Sequence, residues 1–147
     1  MSWDARHSES ERLAALAEQA ARLGDRARAE ALYRDAASAD TAALSALPDG
    51  KERTKGITAV SAVALWYKGR DLSKAEAAAH ASLAHGGLPA FARRQLRDLL
   101  NLIWAATAAE EAGIKFVSGD VLVSVKGGQV IHGGAPLDLI VQKVEDA

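Results

Sequence analysis

Residues 13–36 read LAALAEQAARLGDRARAEALYRDA, and the fold is decided in this stretch. Leu13, Leu16, Ala17 and Ala20 recur at three- and four-residue spacing up to Gly24, and Ala29, Leu32, Tyr33 and Ala36 resume that spacing after Asp25. Such a period places each set on one stripe of a helix. The Gly24-Asp25 pair ends one helix and starts the next, because glycine accepts the left-handed turn and aspartate suits a helix N-terminus. Two helices with facing apolar stripes and a minimal turn form an antiparallel hairpin.

The same reading extends outward. Helices are expected over 8–23, 27–39, 52–68, 73–84 and 89–112. Ser8 or Ser10 is expected to cap the first, Ser73 with Glu76 has the spacing of a capping box, and Pro89 suits a first helical turn. On the fifth helix Ala92, Leu96, Leu99, Ile103 and Ala106 form the apolar stripe, widened by Leu100, Leu102 and Trp104. Trp66, Tyr67 and Trp104 read as core wedges. At Gly113 the composition changes from alanine and leucine to valine and glycine, and the period becomes two. Val121, Val123 and Val125, the Gly127-Gly128 pair, and Gln129, Val130 and Ile131 spell a hairpin pairing Lys126 with Gln129. A short helix over 137–144 follows Pro136. The class expected is mainly α (α+β). Residues 1–113 form a helical domain, and 114–147 a hairpin and short helix packed on it.

Composition narrows the function. The 147 residues are 49% hydrophobic and 25% charged with a net charge of −1, ordinary values for one globular domain. There is no cysteine, which excludes disulfides, thiol nucleophiles, thiolate zinc sites and iron–sulfur clusters, and fits a cytoplasmic location. Arg6, Glu9, Glu11, Arg12 and Glu18 interrupt any signal-peptide core. The apolar run Leu99–Ala109, between Asp98 and Glu110, is about half the ~20 residues a membrane crossing needs. Charge is segregated: residues 1–50 carry −3, 51–97 carry +6 and 98–147 carry −4. The absence of a C-terminal stop signal before Ala147 leads to the expectation that the chain continues into a longer polypeptide.

Gly24, Asp25, Ala29, Tyr33 and Ala36 have the spacing of a tetratricopeptide repeat, and residues 10–43 resemble that family. A second, degenerate match over about 56–89 has Arg70, Asp71, Leu72, Ala75, Ala79 and Pro89 but no aromatic where Tyr33 stands. The two turns are 46 residues apart, against a family period of 34, so an insertion around 41–51 interrupts regular stacking. Residues 50–145, with the Gly-Gly-Ala-Pro-Leu-Asp stretch, also resemble a group of uncharacterised bacterial helical-repeat proteins. The tetratricopeptide resemblance implies a groove lined by the first helix of each pair, with Glu11, Glu18 and Arg22 beside Val60, Ala64, Tyr67 and Lys68. The paired asparagines with which family members hold a C-terminal carboxylate are missing.

Reactive constellations are absent from the sequence. His80 and His85 are five apart, about 140° around a helix, unlike the i, i+4 pair that serves zinc. No Gly-x-Ser-x-Gly elbow or phosphate-binding loop occurs, and Glu110 and Glu111 diverge by about 100°. His132, among glycines, reads as a loop residue. No metal, cofactor or catalytic residue is therefore expected. The leading expectation is a non-enzymatic scaffold binding a protein or peptide through Glu11, Glu18, Arg22, Tyr67 and Lys68, able to self-associate along the hairpin edge. The alternative is anion or nucleic-acid binding through the segment 51–97, on Arg70, Arg93, Arg94 and Arg97, extended by Lys51, Arg53, Lys55 and Lys68. Arg93 and Arg97 lie near a helix N-terminus, where cations are unfavourable, so an anionic partner is expected to compensate. A third expectation is a regulatory domain of a larger enzyme.

Overall fold

The computed structural model describes residues 2–117 and 120–123. It is mainly α, with five helices: α1 (Trp3–Arg22), α2 (Arg26–Ser45), α3 (Glu52–Lys68), α4 (Leu72–Ala84) and α5 (Ala90–Glu111). Strands β1 (Ile114–Val117) and β2 (Asp120–Val123) follow, paired antiparallel with Ile114 opposite Val123 and Val117 opposite Asp120. The expected pairing around Gly127-Gly128, the helix over 137–144 and His132 lie outside the described residues. The chain divides into two units, Met1–Ile103 and Trp104–Ala147, with the division inside α5.

Consecutive helices pack in sequence in the first unit, α1 on α2, α2 on α3 and α3 on α4. Alanine makes this close approach feasible: Ala17, Ala36, Ala37, Ala75 and Ala79 are fully buried. Larger apolar volume comes from Val63, Trp66, Leu96 and Ile103. On α5 the buried stripe is Ala92, Leu96, Leu100 and Ile103, with Leu99 only half-buried. Two glycines let neighbouring elements approach closely. A β-carbon on Gly56 of α3 would fall 2.9 Å from Ala92 Cβ on α5, and one on Gly69 would fall 3.0 Å from the Arg34 backbone nitrogen on α2.

The α1–α2 and α3–α4 turns are built alike. Gly24 and Arg70 both have positive φ, 80° and 61°. Asp25 N–H donates to Ala20 O at 2.9 Å, and Asp71 N–H to Trp66 O at 3.0 Å. Each aspartate then caps the following helix, accepting from Arg28 N and Lys74 N at 3.2 and 3.1 Å. Position for position, Ala17, Ala20, Ala29 and Tyr33 correspond to Val63, Trp66, Ala75 and Ala79.

Three local expectations need correction. The first helix starts at Trp3, capped by Ser2, whose Oγ accepts from Ala5 N at 3.3 Å. Ser8 lies within that helix, and Ser10 is a buried residue there, because Trp3 and His7 find partners across the fold that outweigh the polar character of their turn. The fourth helix is capped by Asp71, and Ser73 is already helical and exposed. The second helix runs on to Ser45, six residues past its expected end. Ala36, Ala37, Asp40 and Ala43 continue its buried stripe, so a carboxylate that reads as a loop residue stands inside the core.

Of the three aromatic wedges, Trp66 is buried and donates Nε1–H to Thr41 Oγ at 3.3 Å. Tyr67 is half-buried, and Trp104 is 46% exposed, so neither is enclosed as a core residue.

Candidate interaction surface

Asp40 is fully buried and joins three helices. Its Oδ1 accepts from His7 Nδ1 of α1 at 2.9 Å, and its Oδ2 accepts from Ser61 Oγ of α3 at 2.6 Å. A buried carboxylate is tolerable only when its oxygens are satisfied in this way. His7 is held in turn by Trp3, stacked on it with ring centroids 4.8 Å apart. Trp3 Nε1–H donates to Thr58 Oγ of α3 at 3.1 Å, and His7 Nε2 faces Glu11 Oε1 at 3.4 Å.

This network contains serine, histidine and aspartate in an order that does not assemble a nucleophile. Ser61 donates to the carboxylate and not to the imidazole, so the serine–histidine contact of a nucleophilic triad is not made. What the network does is fix the first half of α1 along α3. Histidine and aspartate here were not singled out from the sequence. The available signal was the helical continuation Ala36–Ala43, which puts Asp40 on an apolar stripe and demands partners for it.

Tyr33 marks the opposite end of the same surface. Burial raises the pKa of its phenol above the ordinary 10.0, helped by the negative charge of Glu18 and opposed by Arg22, both on α1. Lys68 of α3 places its ammonium 5.6 Å from the centre of the Tyr33 ring. The Asp40 network and Tyr33 therefore tie α1 to α3 at two levels. Trp3 bonds Thr58 and His7 reaches Ser61 through Asp40, whereas the charges of Glu18 and Arg22 act on the Tyr33 phenol that Lys68 faces. The two helices run in the same direction over α2.

Between these ties α3 keeps one face open. Around its axis the buried residues Lys55, Gly56, Thr58, Ala59, Ala62, Val63, Leu65 and Trp66 occupy one side. Arg53, Ile57, Val60, Ala64, Tyr67 and Lys68 remain partly or fully exposed on the other, an arc of about 100° at about 100° per residue. Ile57 is 46% exposed. The open arc is thus apolar along its middle and cationic at both ends.

The expected partner-binding residues fall in two places on this surface. Glu18, Arg22 and Lys68 converge on Tyr33, Tyr67 lies on the open arc one position before Lys68, and Glu11 stands at the His7 end. The cationic residues of the alternative are more dispersed. Arg93 Nη1–H donates to the Leu88 carbonyl at 2.9 Å, so the group that compensates it near the helix start is a backbone oxygen. Arg94 and Arg97 are exposed, and Arg70 occupies the α3–α4 turn. Lys55, expected to extend the patch, is buried, with Nζ 3.3 Å from Asp49 Oδ1 and 3.7 Å from Glu52 Oε1. Arg53 faces the Phe91 ring at 5.6 Å.

Among the described residues no group of three or more His, Asp or Glu could hold a metal ion, and no helix is long and apolar enough to cross a membrane. Comparison with protein families, with curated proteins and with solved structures finds no match.

Proposed function

We propose that this chain is a non-catalytic interaction module of tetratricopeptide-like kind, acting in the cytoplasm, which takes a protein or peptide along the open face of α3. The observation that carries the reading is the arc of Ile57, exposed, with Val60, Ala64 and Tyr67, each only partly covered, on a helix whose other side is buried. An interior helix with an apolar face toward water is a sign of recognition, since covering that face is favourable by about 25 cal/mol per Å². The like-built turns at Gly24 and Arg70 and the common direction of α1 and α3 favour the two-repeat description. Self-association of copies along the hairpin edge is part of the same proposal.

The anion-binding alternative draws on Arg94 and Arg97, which are exposed one helical turn apart. It is the weaker reading because Lys55 and Arg93, two of its cations, are engaged within the chain. Attachment to a larger enzyme stays a proposal without a supporting contact.

The test is a pull-down with the full chain and with a Tyr67→Ala, Lys68→Glu double variant. A partner retained by the former and lost by the latter supports the groove. Equal recovery, with both proteins equally helical by circular dichroism, counts against it.

A further inference from the structure

The loop that joins α2 to α3 holds the only Asp-Gly pair of the sequence, Asp49-Gly50. Both residues are exposed, and Gly50 has a φ of 87°. Space around Gly50 is open, since a β-carbon there would meet nothing within 4 Å. Its N–H has no acceptor among the described residues. A free backbone nitrogen thus follows directly on a solvent-facing carboxyl, with no side chain of its own to hinder their approach.

The aspartates of the helices and caps are arranged differently. Asp35, Asp40 and Asp98 lie inside α2 and α5, where the N–H of the following residue donates along the helix. Asp4 precedes Ala5, whose N–H is taken by Ser2 Oγ. Asp25 and Asp71 accept from Arg28 N and Lys74 N as helix caps, and the residues after them, Arg26 and Leu72, carry side chains that crowd the next nitrogen.

What restrains Asp49 is Lys55. Its Nζ lies 3.3 Å from Asp49 Oδ1 and 3.7 Å from Glu52 Oε1, and the lysine is buried while Asp49 is fully exposed. An ion pair whose acid stands wholly in water is weak, so the contact slows rotation of the carboxyl without preventing it.

We infer that Asp49-Gly50 is a site of covalent self-modification, an aspartate that isomerises at a rate held down by Lys55. Gly50 N attacks Asp49 Cγ and the new C–N bond forms. The hydroxyl of the protonated carboxyl leaves with the amide proton as one water, closing a five-membered succinimide. Water then adds to one of the two ring carbonyls. Opening at Cγ restores aspartate, whereas opening at the main-chain carbonyl leaves the backbone running through Cβ and Cγ as isoaspartate. Only water is lost and regained, so the product has the mass of the starting chain. Closing the ring also takes the carboxylate away from Lys55, which keeps Glu52 as its carboxylate neighbour.

The experiment ages the folded full chain for weeks in neutral buffer at physiological temperature and follows the tryptic peptide 35–51, which carries Asp35, Asp40 and Asp49. Electron-transfer fragmentation locates isoaspartate within it, and a protease that cleaves before aspartate fails at an isoaspartyl residue. The expected result is isoaspartate at Asp49, with loss of cleavage between Pro48 and Asp49, while cleavage before Asp35 and Asp40 is retained. Lys55→Met, which keeps the apolar stem and is checked by its thermal melt, is expected to isomerise at Asp49 several-fold faster, with Asp40 still unmodified.

Absence of isoaspartate at Asp49 in the aged chain, while the free peptide 35–51 acquires it under the same conditions, overturns the inference, because the folded loop then forbids ring closure. Equal isomerisation at Asp40 also overturns it, since the reaction would then proceed from the unfolded chain. An unchanged rate in Lys55→Met overturns Lys55 as the restraint.

Discussion

Arg34 Nη1–H donates to the Gly69 carbonyl at 2.7 Å, so a guanidinium on α2 takes the acceptor that the end of α3 would otherwise leave open. The same approach leaves no room at Gly69: an added β-carbon would lie 2.6 Å from Arg34 Cγ, 3.0 Å from its backbone nitrogen and 3.2 Å from Glu30 O. Side-chain Cγ can shift, but the backbone of α2 cannot shift alone. Gly69→Ala is expected to lower stability by about 1–3 kcal/mol through overpacking, measured by urea unfolding. Arg34→Met, which keeps the stem and loses the donor, is expected to cost about 1 kcal/mol.

Gly24 supplies the control, since a β-carbon there would meet nothing within 4 Å. Only its φ of 80° opposes a side chain. Gly24→Ala is therefore expected to cost about 1–2 kcal/mol from backbone conformation alone. Arg70 accepts a φ of 61° in the corresponding turn, so the conformation is attainable with a side chain. If Gly69→Ala proves neutral in the same urea series, close packing is not what fixes Gly69.

The Asp40 network predicts a graded series. Asp40→Ala strands the Ser61 hydroxyl and the His7 N–H in a part-buried site and is expected to destabilise by about 2–3 kcal/mol. Ser61→Ala removes one donor and is expected to cost about 1 kcal/mol, and Trp3→Phe, which keeps the stack but loses the bond to Thr58, a similar amount. A double-mutant cycle between His7 and Ser61, which share Asp40 without touching, should show coupling; strict additivity would mean that the carboxylate does not act as one joint.

Tyr33 gives a spectroscopic handle on the opposite end. Its pKa lies above 10.0, chiefly because burial disfavours the phenolate and secondarily because of Glu18. A raised folded-state value means that the neutral phenol is the form the fold prefers. The stabilisation it contributes is fully present below pH about 10 and is lost as pH rises from there through the folded-state pKa. Following the tyrosinate absorbance, Glu18→Gln is expected to bring one tyrosine's titration to lower pH, whereas Arg22→Gln is expected to move it higher. Equal titration curves for both variants would remove Glu18 and Arg22 from the neighbourhood of Tyr33.

The helical class, the number of helices before Gly113 and the two turns were legible because they depend on short-range chemistry. Periods of three and four, a Gly-Asp pair and an Arg-Asp pair are local statements, and the turns at Gly24 and Arg70 bear them out. Helix ends were less legible. Ser8, Ser10 and Ser73 have suitable hydroxyls, yet Ser2 and Asp71 cap, since the boundary depends on which turn finds contacts elsewhere.

Residue type and spacing by themselves determined that this chain makes a small set of amphipathic helices, with glutamates and arginines on their outer sides. Only the tertiary structure decided that Asp40 is interior and bound by His7 and Ser61, that Lys55 is buried, and that α3 keeps Ile57 exposed with Val60, Ala64 and Tyr67 only partly covered. The physical reason is that periodicity says which residues share a side of a helix but not how many sides find a neighbour. Helix α3 is apolar almost all round, so its pattern alone cannot distinguish the side that meets α1, α2, α4 and α5 from the side left to water.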